Sequence, residues 1–152
     1  MPIVEHDQLS SFVGKPLTAA DWLRIDQSRI DSFADVTEDR QFIHIDPERA
    51  ARTPFGSTIA HGLLTLALLP KLIETVAVIP ANVTLGINYG FNKVRFPHPV
   101  AVDSDIRATM TLRDVRERGA GRFMLRSEVV VEIRDKRKPA LVAESLALLV
   151  VE

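Results

Sequence analysis

With 152 residues, 46% of them hydrophobic, the chain is long enough for one buried core and too short for two domains, so residues 1–152 are read as a single domain. A formal net charge of -1 excludes the broad basic surface of a binder of nucleic acid or anionic lipid. With no cysteine, disulfides, a thiolate nucleophile and Cys-ligated zinc or iron–sulfur centres are excluded too.

The opening MPIVEHDQLSSF has no basic flank leading into an apolar run, so a secretory signal is not expected and a cytoplasmic location is. Asp26 is a good N-cap, and Ile25 with Ile30 has the spacing of a hydrophobic staple, so a first helix is predicted there with Ile30, Phe33 and Ala34 facing inward. The helical spacing stops near Thr37. The polar segment up to His44 is expected to connect this helix to a short second one, which Asp46-Pro47-Glu48 starts. A turn at Pro54 to Gly56 then precedes a long apolar helix expected from about Ser57 to Val78, kinked or broken around Leu66 to Leu69 by Pro70. Interruption by His61, Pro70, Lys71 and Glu74 makes this a buried helix and not a membrane span. Covering it calls for a sheet or a partner subunit.

From residue 85 the period changes from helical to alternating. Leu85, Ile87, Tyr89 and Phe91 form one run, and Ile106, Ala108, Met110 and Leu112 the next. Phe123, Leu125, Val129, Val131 and Ile133 share one face of a third strand, with Arg122, Arg126, Glu128, Glu132 and Arg134 opposite. The last, Leu141 to Val151, is apolar on both faces and reads as a central or interface strand. Turns at residues 117–119 and 135–139 join the last three as antiparallel neighbours, giving an α+β plan.

Four histidines are available for chemistry. His6 reads as solvated and His98 as structural. His44 follows Asp39 by five residues on an irregular segment, where a carboxylate and an imidazole can share one water molecule. Asp39, His44, Asp46 and His61 are conceivable metal ligands, but their spacing matches no compact ligand motif, so no metal is expected.

The string Asp39-Arg40-Gln41-Phe42-Ile43-His44, followed by Ile45-Asp46-Pro47 and by Pro54-Phe55-Gly56-Ser57-Thr58-Ile59-Ala60-His61-Gly62, resembles the hydratase signature of the MaoC-like family. That signature is Asp-x-Asn-Pro-aliphatic-His with a later His-Gly element. The block Asn88 to Pro97 is similar to the strand that follows, especially in the NodN-like branch, and Gln41 and Phe42 in place of Asn and Pro fit that branch. Pro70 stands where some members have a serine.

The resemblance implies a hot-dog fold, in which a curved antiparallel sheet wraps a central helix, and a homodimer or dimer of dimers. It implies (R)-specific hydration of 2-enoyl-CoA thioesters with no cofactor, nucleic acid or membrane partner. Asp39 and His44 would be the acid–base pair, and the Gly62 N–H the oxyanion donor. Gln41, Phe42, Phe55 and His61 would touch substrate, and Arg134, Lys136, Arg137 and Lys138 are candidates for the nucleotide end. The alternatives are a hot-dog thioesterase, for which Glu74 would be the carboxylate, and a non-catalytic acyl-thioester binder.

Overall fold

The computed structural model describes residues 2–152. In chain order it runs β1 (Ile3–Val4), a 3-10 helix (His6–Phe12), β2 (Pro16–Thr18), β3 (Leu23–Ile25), α1 (Gln27–Thr37), α2 (Phe42–Ile45), α3 (Pro47–Ala51), α4 (Gly62–Ala67), α5 (Leu69–Leu72), β4 (Ile79–Pro80), β5 (Val83–Arg95), β6 (Ser104–Glu117), β7 (Arg122–Ile133) and β8 (Leu141–Val151).

The first helix begins as its residues dictate. The Asp26 carboxylate accepts the Arg29 N–H at 2.9 Å, and both staple residues, Ile25 and Ile30, are buried. Glu38 ends α1 in the left-handed conformation, turning the chain towards Asp39. Asp46 caps α3 in the same way, with Pro47 at its first position.

The central apolar segment differs from the expected single helix. Ser57 to His61 is not helical, because long-range partners take its backbone groups. Ile59 N–H donates to the Ile43 carbonyl at 3.0 Å, Ala60 N–H to Val100 at 2.8 Å, and the Thr58 carbonyl accepts from Val102 at 2.9 Å. Helix therefore starts only at Gly62. It is interrupted at Leu68, as the missing N–H of Pro70 predicts, and resumes as α5. Coverage is also less complete than expected, since Leu63 is exposed.

The main sheet has the order β2-β6-β7-β8-β5, with β3 pairing the same strand β6. The four long strands pair antiparallel, and β8 lies between β7 and β5, which explains why it is apolar on both faces. On β7 the alternation is obeyed: Phe123, Leu125, Val129, Val131 and Ile133 are buried. Val129, Val131 and Ile133 share a core cluster with Leu64, Leu69 and Leu72 of the helices and Ile30 of α1, while Phe123 and Leu125 pack in a second cluster with Leu9, Val78, Leu112 and Leu149. β5 is the edge, and its alternating residues Leu85, Ile87 and Tyr89 are exposed.

Ile106 of β6 is fully buried in this core, whereas Val36 on α1 is 78% exposed. Ile106→Ala is expected to lower the unfolding free energy by about 2–5 kcal/mol, and Val36→Ala to change it by no more than about 0.5 kcal/mol. Urea titration of both variants checks this, and equal midpoints would refute the placement of the core.

Candidate active site

Three short segments bring the chemistry together: the connection after α1, helix α2, and the extended run entering α4. His44 lies on α2, so a short helix carries it where a plain connection was expected. Its ring is buried, and Nδ1 lies 2.7 Å from the Ile59 carbonyl. A carbonyl only accepts, so Nδ1 carries the proton and a neutral His44 keeps its lone pair on Nε2. Gln27 supports the backbone at the same point. Its amide donates to the His44 carbonyl at 2.7 Å, while its oxygen accepts from the buried Thr58 hydroxyl at 2.5 Å.

His61 is the N-cap of α4 and is also buried. Its Nε2–H donates to the Asp39 backbone carbonyl at 2.9 Å, and its ring stacks on His44 with centroids 3.7 Å apart. Phe33 of α1 packs on its ring at 5.0 Å. The Asp39 side chain is exposed, yet Asp39, His44 and His61 each bring one carboxylate or imidazole ligand atom within 4.8 Å of the others. One water molecule can bridge such a separation. These three are also the residues that could hold a metal. The two imidazoles lie 25° from parallel.

His44, Gly62 and Phe55 line one cavity of about 300 Å³, completed mainly by Thr65, Phe96, His98 and Val100. Gly62 is the first residue of α4, where a backbone N–H has no partner within the helix, and no side chain caps this end. A Cβ added at Gly62 would lie 2.9 Å from the Phe96 ring, so glycine here permits the approach of an aromatic side chain. Asp39, Gln41, Phe42 and His61 do not line the cavity. Gln41 is an exposed residue whose carbonyl receives the His44 N–H, and Phe42 packs under the Arg49 guanidinium.

Sequence reasoning missed Gln27, Thr58, Phe96 and the rim position of His98. Only the Pro97-His98-Pro99 string hinted at a fixed imidazole. His6, as expected, is an exposed residue remote from this cluster, near Phe123. Glu74 is exposed, beyond the end of α5, and paired with Lys71 at 2.6 Å. A separate apolar cavity of about 200 Å³ lies between α5, β5 and β8 and shares no lining residue with the His44 cavity. Among the described residues, no helix is long and apolar enough to cross a membrane.

Residues 8–133 match the family described as MaoC like domain. The chain is 49% identical over 138 residues to 3-hydroxyacyl-thioester dehydratase Z of Mycobacterium tuberculosis, covering 91% of each protein. It is 47% identical over 146 residues to Nodulation protein N of Rhizobium meliloti, covering 95% of this chain and 91% of that one. Among solved structures, the R-hydratase of Pseudomonas aeruginosa superposes with a TM-score of 0.68 at 26% identity, covering 92% of this chain and 83% of that one.

Burial, the largest cause, holds the pKa of His44 below its ordinary value; the Ile59 hydrogen bond opposes this, His61 adds to it and Asp39 opposes it. The unfolded chain therefore takes up the proton first, near the usual value of about 6.5. His44 costs no stability above that pH, and the fold loses stability as pH falls from there towards the lower folded-state value. His44→Gln is expected to flatten this part of the profile. Urea midpoints measured on both sides of about pH 6.5 check it, and an unchanged acid slope would contradict it.

Proposed function

The chain belongs to the MaoC-like family of hot-dog hydro-lyases, and from that premise we propose that it catalyses (R)-specific hydration of trans-2-enoyl-CoA thioesters to 3-hydroxyacyl-CoA, or the reverse dehydration. The observation that carries the reading is the Nδ1 contact of His44 to Ile59, which leaves the Nε2 lone pair free on a ring that has a nitrogen within 4.8 Å of an Asp39 carboxylate oxygen. In this reading one water sits between the pair. Nε2 takes one proton from the water as its oxygen bonds to C3, the remaining O–H stays on that oxygen and donates a hydrogen bond to Asp39, and the pair delivers one proton to C2. Water is added across the double bond and both side chains return to their starting states.

Charge develops on the thioester oxygen as C3 is attacked. The Gly62 N–H, in the wall of the same cavity as His44, is the proposed donor to it. Phe55 is proposed to flank the thioester, and His61 to act through its neighbours by holding the Asp39 carbonyl and the His44 ring. The thioesterase alternative has little to rest on. Helices α4 and α5 carry no carboxylate, and Glu74 is turned to its lysine. A homodimer is supported by the exposed Leu85, Ile87 and Tyr89 on the edge strand, an arrangement that a second copy would cover.

Asp39→Asn and His44→Gln are each expected to lower turnover of crotonyl-CoA by at least about 10²-fold without loss of fold. Loss of the enoyl absorbance, with circular dichroism for folding, measures this, and near-parental rates in either variant would remove that residue from the mechanism.

The oxyanion role needs a sharper test than Gly62→Ala, because the new methyl would press on Phe96 and still leave the N–H in place. Proline fits the first position of a helix, and His61 before it already has an extended backbone, φ -59° and ψ 135°. In a Phe96→Ala background that makes room, Gly62→Pro differs from Gly62→Ala in closing the side chain onto the backbone nitrogen, with a ring methylene in place of the N–H. Turnover is expected to fall a further 10²- to 10³-fold, roughly the worth of one oxyanion donor. Equal rates in the two double variants would exclude the Gly62 N–H.

A further inference from the structure

The outer face of the sheet, turned away from the helices, is laced by cross-strand ion pairs. Arg107 meets Glu132, Arg113 meets Glu128 at 3.2 Å, and Arg126 meets Glu144 at 2.8 Å. This pattern stops at the hairpin between β6 and β7. Among the described residues Arg118 and Arg122 take part in no ion pair.

The hairpin holds these two arginines against each other. Gly119, Ala120 and Gly121 are all left-handed, with φ 77°, 50° and 67°, and the Arg118 N–H donates to the Arg122 carbonyl at 2.8 Å. One step beyond the Glu117 and Phe123 pair, Arg118 therefore stands opposite Arg122, and cross-strand neighbours share a face. Glu117 itself, paired with the buried Phe123, belongs to the other face. Like charges set directly opposite cost stability, a cost that an anion between them removes.

Both arginines line a hollow of about 410 Å³ on the outer face. Its other two guanidiniums are already matched, Arg116 by Asp114 at 2.8 Å and Arg126 by Glu144. Met124, Leu146 and Leu148 form its apolar part, and Tyr89 of β5 also lines it. The hollow shares no lining residue with the His44 cavity. It is a local excess of positive charge on a chain whose formal net charge is -1.

We propose that this hollow binds a phosphorylated small molecule, its phosphate between Arg118 and Arg122 and an apolar or aromatic part against Met124, Leu146 and Leu148. One carboxylate matches one guanidinium, as Asp114 and Glu144 do here, whereas a phosphate group has the charge and the oxygens for two. A second copy laid on this face about a two-fold axis would bring the same arginines against these, so self-association does not supply the counter-charge. The site is separate from the one proposed for thioester chemistry and does not depend on that reading.

The test compares the parent with a double variant, Arg118→Gln with Arg122→Gln, in calorimetric titrations with inorganic phosphate and with naphthyl phosphate at low ionic strength. The parent is expected to bind both, naphthyl phosphate more tightly. The double variant should bind each at least about 10-fold more weakly, the lower range for hydrogen bonds to a charged group. Either probe should raise the Tm of the parent more than that of the variant. Circular dichroism and crotonyl-CoA kinetics should be the same for both proteins.

Unchanged affinity for phosphate in the double variant, or no binding by the parent, would overturn the proposal. Equal affinity of the parent for the two probes would overturn its apolar half. A KM for crotonyl-CoA that rises as phosphate affinity falls would give the arginines to the substrate and overturn a separate site. Because binding is read without turnover, a failure of the hydration reading leaves this test intact.

Discussion

Everything proposed for this site depends on one hydrogen bond, the 2.7 Å contact from His44 Nδ1 to the Ile59 carbonyl. It joins helix α2 to the extended run before α4, and it fixes which ring nitrogen carries the proton. Without it, His44 could rotate or exchange tautomers, and a lone pair directed at the water would not be assured. The bond is also why Ser57 to His61 must stay extended: a helix there would turn the Ile59 carbonyl back into its own ladder.

A second set of contacts makes that bond dependable. Gln27, at the start of α1, ties the His44 carbonyl and the Thr58 hydroxyl through one side-chain amide. His61 ties the Asp39 backbone and covers the His44 ring. Both supporting residues sit on elements anchored in the core, Gln27 one turn before the buried Ile30 and His61 directly before α4, whose Leu64 is buried. Pre-organisation of this kind lets a mobile water be held without the protein reorganising during the reaction.

The parts of this picture legible in the sequence were those decided locally. Asp26 with Ile25 and Ile30 marked the start of α1, strict alternation marked β7, and apolarity on both faces marked β8 as central. The Asp39 to His44 string and His61-Gly62 named residues that the fold brings close together. What local pattern could not carry was pairing across the chain. Ile59 and Ala60 fit a helical spacing, and only their hydrogen bonds to Ile43 and Val100 take them out of the helix. The alternation at Leu85 to Phe91 identified a strand without saying that its face would lie exposed at the sheet edge. Gln27 and Thr58, separated by 31 residues and joined by one hydrogen bond, had no signal at all.

The central claim is that this geometry adds water to C3 of an enoyl thioester from one face. The most direct measurement is the chirality of the product formed by the unmodified protein from crotonyl-CoA, read by chiral chromatography after the thioester is cleaved. The account predicts (R)-3-hydroxybutyrate, with no free CoA released during the enzymatic step. The (S) product, a racemate, or release of CoA with the double bond intact would contradict it.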